Sequence, residues 1–572
     1  MCSDPAGGST RGSGAARRRL GGLSRVVALA LPVVVVSLLV PLGGASVHFF
    51  PDDPISVDHD DLVDASGLVA QELSEAYDFI ENTFVDVGDR RSIRALNVNT
   101  LDEVPDSSWF TNRIGIRPMS AAEITRGPDE FERLDVEQWT VIRGKTAGAF
   151  QPGFLATSSS VDNEIYQLEV DPEDYPDLAT GAELIGTAVY HALGYNVVQN
   201  YLVEVAREDL VIAEEATIRD ASGRRAFTED DLDDVLRGAA RLPSGRYRMT
   251  ASRFAAGSPL GQFRYFGTRP DDPNDIVPHE HRRELRANRV FTAWLNHDDS
   301  RAINTLDVLV ERDGRQVVQH YMFDFGSTLG SATRFPDNAQ SGREYFLEKR
   351  RSLLTLATLG LYVKPWLRIP ELEAPPSVGR FTGQYFDPAS WRAEYPNAAF
   401  ENMRPDDAFW GARLVSAFSN EAVAAAVRKA AYQDPRATLY MTQALIARRD
   451  RIRETWLNGV NPLVDLALDE QGRLSFVNAA VEAGAATADG AYELQWRRFD
   501  NLTGPGEPVG PPVDGTATAG YQMPAALDGD PFVMVSIVAS HPEHPAWSAH
   551  PLLAYFRRSG AGWQTVGLER TP

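Results

Sequence analysis

The chain has 572 residues, enough for several hydrophobic cores, and its 43% hydrophobic and 24% charged content is that of an ordinary globular protein. A net charge of −23 excludes a general nucleic-acid binder, which needs a basic face. The one cysteine, Cys2, excludes an intramolecular disulfide and any cysteine-built metal site.

Arginine carries nearly all the positive charge, because the lysines are Lys145, Lys349, Lys364 and Lys429 alone. At the N-terminus Arg11, Arg17, Arg18, Arg19 and Arg25 precede the apolar run Val26 to Leu42, and small residues follow at Gly43 to Ser46. This pattern predicts a signal peptide or an N-terminal membrane anchor over 1–47. The arginines put the N-terminus inside, so the bulk is expected outside the cytoplasm, secreted or held to the membrane through residues 26–42 if these are not cleaved.

Residues 48–137 read as an acidic N-terminal extension. Leu68 to Phe84 has helical spacing, and Asp102 to Gly115 reads as loop with the aromatic pair Trp109–Phe110 to bury. From Gln138 the pattern turns to strands: QWTVIRGK, then FLATSS and EIYQLEV flanking SVDN as a hairpin. Leu178, Leu184, Ile185, Val189 and Leu193 are spaced for a helix ending near Gly194, before a further strand. Residues 206–245 read as an insertion with a short acidic helix. The run from Pro278 to Leu295 predicts a helix. TLDVLVE and QVVQHYM flank RDGR as a hairpin. The stretch 343–460 is expected to be mainly helical, its last helix opening on Asp434–Pro435. After Leu474 the period falls to two, which predicts a β-sandwich over 470–572.

The densest polar stretch is NHDDSRAIN, Asn296 to Asn304, followed by DFG at Asp324 to Gly326. Phosphoryl transfer needs a carboxylate to orient the attacking hydroxyl, with an amide and a second carboxylate for the metal ions that bridge the phosphates. A short loop and a neighbouring hairpin end can deliver all three. HDDSRAIN with DFG resembles the catalytic loop and metal-binding motif of the protein kinases, with Asn304 five residues after Asp299 and Asp324 twenty after Asn304. AELIGTAVYHALGYNV is similar to the atypical bacterial kinases of the HipA and spore-coat CotH kind.

The resemblance implies an α+β, two-lobed protein-kinase-like domain, with a small lobe over 138–277, a helical lobe over 278–465 and the sandwich behind them. It implies Asp299 as catalytic base, His297 as an orienting residue, Arg301 as a stabiliser of phosphate charge, and Asn304 and Asp324 as metal ligands. Gly144, Lys145 and Gly148 would belong to the phosphate loop, and Glu183 would be the glutamate of the first helix. The cofactors implied are ATP or another nucleotide with Mg²⁺ or Mn²⁺, and the partner a protein or small-molecule hydroxyl acceptor.

One position departs from the pattern. The strand that should carry a lysine carries Glu169, beside Gln167. Three outcomes are open: Lys145 reaches in from the loop, as in the with-no-lysine kinases; Glu169 and Glu183 hold an extra divalent ion; or the domain is an inactive pseudokinase serving as a binding or scaffold module. Nucleotidyl transfer on the same fold is a further alternative. Other chemistries find no support. His279 and His281 do not share a helical face, H-E-x-x-H and G-x-S-x-G are absent, and DDPND lacks the spacing of a calcium loop.

Overall fold

The computed structural model describes residues 47–571 apart from 86, 146–150, 159–163, 222 and 371–372. The predicted signal or anchor lies outside the described residues, as does Gly148. No helix among the described residues is long and apolar enough to cross a membrane.

The fold is mixed α+β, with several sheets. The extension contributes α1 (Glu75–Phe84) and α2 (Ala121–Arg126). The segment Leu68 to Ser74 is not helical as its spacing suggested. Gln71 pairs its backbone with Gly261, and the Val69 carbonyl takes a guanidinium proton from Arg269, so tertiary bonds outbid the local helix.

A seven-stranded sheet follows. Its strands are β1 (Trp139–Gly144), β2 (Gly153–Thr157), β3 (Ile165–Val170), β4 (Asn200–Val205), β5 (Leu210–Asp220), β6 (Gly223–Ala226) and β7 (Tyr247–Arg253), in the order β4-β7-β3-β2-β1-β5-β6. Helix α3 (Leu178–Leu193) runs between β3 and β4 and is buried almost throughout. The segment read as an insertion is integral to this sheet: β5 pairs in parallel with β1, and α4 (Glu229–Arg237) places Leu232 and Leu236 in the sheet's own apolar core with Trp139, Phe154 and Tyr166. Helix α3 packs beside β3, β4 and β7.

Strand β8 (Ser258–Gly261) leaves that sheet and pairs with β9 (Thr305–Arg312), which forms a hairpin with β10 (Arg315–Met322). Asp313 and Gly314 both take positive φ, 50° and 74°, as a tight two-residue turn requires. The predicted helix at Pro278 begins later than expected. His279–His281 is a 3₁₀ turn and α5 runs Arg283–Leu295, because the His279 ring is held by Asp275 and the Arg264 carbonyl.

Helix α6 (Lys349–Ala357) is followed by a long irregular stretch to Asn397, where six prolines withhold the amide protons a helix needs. The expectation of a mainly helical 343–460 therefore holds for its second half: α7 (Ala398–Glu401), α8 (Pro405–Ser416), α9 (Asn420–Lys429) and α10 (Pro435–Ile452). The C-terminal region holds β11 (Leu463–Leu468), β12 (Arg473–Asn478), α11 (Ala479–Glu482), β13 (Ala491–Asp500), β14 (Gly504–Pro508), β15 (Val513–Gly515), β16 (Ala519–Gln522), β17 (Phe532–Ser540), β18 (Leu552–Ser559) and β19 (Gly562–Arg570). They form an antiparallel sheet β11-β12-β16 and a larger one, β14-β13-β17-β18-β19, with β15 also on β13. The extension is packed against both regions. Phe49 enters a small aromatic core with Phe499 and Tyr555, and Trp109 stacks on His320 of β10 at 3.5 Å.

Buried charge ties these parts together. Arg283, fully buried at the start of α5, reaches Asp102 of the extension at 2.9 Å, Asp406 at 3.0 Å and Asp407 at 3.1 Å, both on α8. Arg286 meets Asp407 at 3.3 Å and Arg94 meets Asp102 at 2.9 Å, so three aspartates face several arginines.

Candidate active site

Helix α5 stops at Asn296, whose φ of 53° is left-handed, and the chain turns into the loop of Asp299 and Arg301. The Asn296 side chain fastens this turn, accepting from Trp391 Nε1 at 3.1 Å and donating to Ser341 Oγ at 3.0 Å. His297 is buried beside the Phe325 ring, 5.7 Å between centroids. Burial pushes its imidazole down to about 4, so the ring is neutral near pH 7.

Asn304 closes the loop. Its amide nitrogen donates to the Asp299 carbonyl at 2.8 Å and to Asp299 Oδ2 at 3.1 Å. Strand β9 starts at the next residue, where Thr305 pairs with Met322, the last residue of β10. The Phe323 amide donates to the Asn304 carbonyl at 3.3 Å. The hairpin register therefore sets Asn304 beside Asp324, twenty residues on.

Asp324 has a φ of 63°, a left-handed conformation that aspartate tolerates better than most residues. The turn opens its carboxylate to the cleft and sends Phe325 inward. The Phe325 amide donates to Glu183 Oε2 at 2.6 Å, and its ring packs on Tyr190 at 4.6 Å. A Cβ at position 186 would collide with Phe325, so Gly186 is what lets α3 come this close. Asn200 Nδ2 donates to Glu183 Oε1 at 2.6 Å.

On the opposite wall Lys145 leaves the end of β1, its amide bonded to the Gly153 carbonyl at 3.2 Å. Its ammonium forms an ion pair with Glu169 Oε1, which also accepts from Gln167 Nε2 at 2.7 Å. Lys145, Asp299, Arg301, Asn304 and Asp324 all line one cleft of about 580 Å³.

Negative charge dominates this cleft. Burial, then Asp324 and Glu169, push Glu183 up to about 8. Asp324 is solvent-exposed at the cleft, and the surrounding walls, then Glu169 and Asp299, raise its carboxyl, with Lys145 opposing. Arg301 does not offset this, because it is shared between Asp299, Glu75 Oε1 at 2.8 Å and Glu394 Oε2 at 3.1 Å.

The donor set fits a hard divalent cation. Asp324 accepts no hydrogen bond among the described residues, and Asn304 spends its nitrogen on Asp299, which leaves its amide oxygen for a cation. Among the described residues no three His, Cys, Asp or Glu side chains form a self-contained cage. One carboxylate and one amide are what Mg²⁺ uses when phosphates and water complete its shell. A second cation between Glu169 and Glu183 fits less well, since the first is engaged by Lys145 and Gln167 and the second by Phe325 and Asn200.

Gly144 is not among the cleft-lining residues. A Cβ there would strike the Phe227 ring, so its smallness serves the packing of the β5–β6 region onto β1. Sequence reasoning missed Glu75, from a helix treated as part of an extension, and Glu394, from a proline-rich stretch with no periodicity. It also missed Gly186, although a glycine inside an apolar helix is itself a signal of close approach. No protein-family model, curated protein or solved structure matches this chain.

Proposed function

We propose that this chain is an extracytoplasmic phosphotransferase, with a two-lobed protein-kinase-like domain followed by a β-sandwich, which moves phosphate from a metal-bound nucleotide to a hydroxyl acceptor. The observation that carries this reading is the convergence of Asp299, Asn304, Asp324 and Lys145 on one cleft. Asp324 and the Asn304 amide oxygen would hold Mg²⁺ or Mn²⁺, which when bound supplies charge neutralisation at the phosphates.

The protein's own groups then have distinct tasks. Asp299, oriented by Asn304, accepts the proton of the attacking hydroxyl. The hydroxyl oxygen bonds to the terminal phosphorus as the bond to the leaving phosphate oxygen breaks. Lys145 turns from Glu169 toward the nucleotide phosphates. Glu183 works at one remove, by fixing the backbone that aims Asp324.

A second reading has its own support. Lys145 is held by Glu169, and nucleotide is scarce outside the cytoplasm, which favours a pseudokinase acting as a surface binding module. A thermal-shift titration separates the two. The enzyme reading expects residues 47–572 to gain stability with millimolar ATP and Mn²⁺ and then to show phosphate transfer by mass spectrometry. Absence of any shift sinks it, and a shift without transfer of any group leaves the binding module.

A further inference from the structure

One part of the surface runs against the character of the rest. From Lys349 to Pro370 no residue is buried. Helix α6 hides no apolar stripe, whereas a surface helix ordinarily turns one to the core. Leu353 is 66% exposed, Leu356 73%, Leu359 91% and Leu361 85%.

The same stretch is basic. Lys349, Arg350, Arg351, Lys364 and Arg368 fall within it and no acidic residue does, in a chain of net charge −23. Two of the chain's four lysines are here. Tyr362 and Trp366 sit among the leucines. The stretch is fastened at its base, because the buried Glu344 accepts from Trp366 Nε1 at 2.7 Å and pairs with Lys364 at 2.6 Å and Arg351 at 3.1 Å. It is also continuous with α1. Lys349 lies over the Phe84 ring at 5.5 Å, Phe346 meets Phe79 at 6.1 Å, and Tyr77, Ile80 and Phe84 are themselves exposed.

We propose that Lys349 to Arg368, the stretch without an acidic residue, docks onto the surface of an anionic lipid bilayer. Exposed leucines flanked by lysine, arginine, tryptophan and tyrosine are the chemistry of the membrane interface: the apolar groups enter the headgroup boundary and the cations meet lipid phosphates. A second copy of the chain fits less well, because a two-fold interface would set this patch of cations against itself. The apolar run Val26 to Leu42 stands a few residues before Val47 and would hold the chain at such a surface where it is retained. Glu344 and Phe346 also line the cleft, so the cleft mouth would open at the bilayer.

The test uses residues 47–572, which hold the three apolar cores of the described residues. Co-sedimentation is measured with vesicles of phosphatidylcholine alone and of phosphatidylcholine mixed with phosphatidylglycerol. Binding is expected to the mixed vesicles, at least tenfold weaker to phosphatidylcholine and weakened by salt. Lys349→Glu with Arg350→Glu should cost at least about 25-fold, since each cation near an anionic surface contributes roughly fivefold. Leu356→Gln with Leu359→Gln and Leu361→Gln should abolish binding at unchanged melting temperature, because these side chains are largely exposed. Absence of binding to the mixed vesicles overturns the proposal. So does binding that survives the leucine variant, or lipid-free dimerisation lost in that same variant. Nucleotide plays no part in the readout, so failure here is distinct from failure of the phosphotransferase reading.

Discussion

The molecule holds two clusters of charge that differ in balance, one buried around Arg283 and one along an open cleft. Around Arg283, three aspartates meet several arginines; Asp102 is held below its ordinary range although burial pushes the other way, while burial raises Asp407. At the cleft, Asp299 and Asp324 line the wall with Glu169 and Glu183 behind it, and the positive charge is Lys145 and an Arg301 already shared with Glu75 and Glu394. There the carboxyl groups of Glu183 and Asp324 are raised. A buried cluster whose charges cancel holds elements together. A cluster left short of positive charge favours protons or cations, which marks the cleft as a candidate functional site.

The largest expected effect comes from removing the cleft's cation-seeking carboxylate. Asp324→Asn should abolish phosphate transfer, because the metal-bound nucleotide loses its carboxylate, and erase the ATP–Mn²⁺ thermal shift. Without ligand the variant should melt no lower than the parent, since a repelled charge has gone. Asp299→Asn should cost about 10²- to 10⁴-fold in transfer and keep the shift, which separates base from ligand.

The balanced cluster should respond in the opposite way. Arg283→Met leaves Asp102, Asp406 and Asp407 buried without their shared partner, and should cost about 3–5 kcal/mol in denaturant unfolding. Its nucleotide affinity, measured below the new transition, should be unchanged.

Lys145→Met should weaken nucleotide binding by about 1.5–3 kcal/mol, the worth of a hydrogen bond to a charged group. An unchanged affinity would assign Lys145 to neutralising Glu169 alone.

The smallest effect is a slope with pH. Folded Glu183 keeps its proton up to about pH 8, whereas the unfolded chain releases it near 4.5. Its contribution is therefore complete below about pH 4.5 and is lost as pH rises toward 8. Glu183→Gln should flatten that slope, so the difference in unfolding free energy between pH 6 and pH 8.5 should shrink relative to the parent.

Legibility in the sequence followed the range of the interactions. The β9–β10 hairpin could be read because Asp313–Gly314 is a local turn with a steric reason. The same was true of α3, whose apolar spacing is continuous and ends at Gly194. The segment 206–245 read as an insertion because nothing in its composition says that β5 pairs in parallel with a strand about seventy residues earlier. The stretch before α7 was misjudged because its apolar residues outweighed its prolines. The partners of Arg301 were invisible, since Glu75 and Glu394 lie far away in the chain on either side.

By itself the sequence determined the side chains of the Asn296–Asn304 loop and their order, the hairpin that carries Asp324, and the absence of a lysine from β3. Those depend on spacing within one loop and one turn, where covalent geometry leaves little choice. The tertiary structure alone decided that Lys145 meets Glu169, that Glu183 binds the Phe325 amide, and that the extension closes on Arg301. These rest on electrostatics and packing between distant segments, and a charge's partner is chosen by the space it shares after folding.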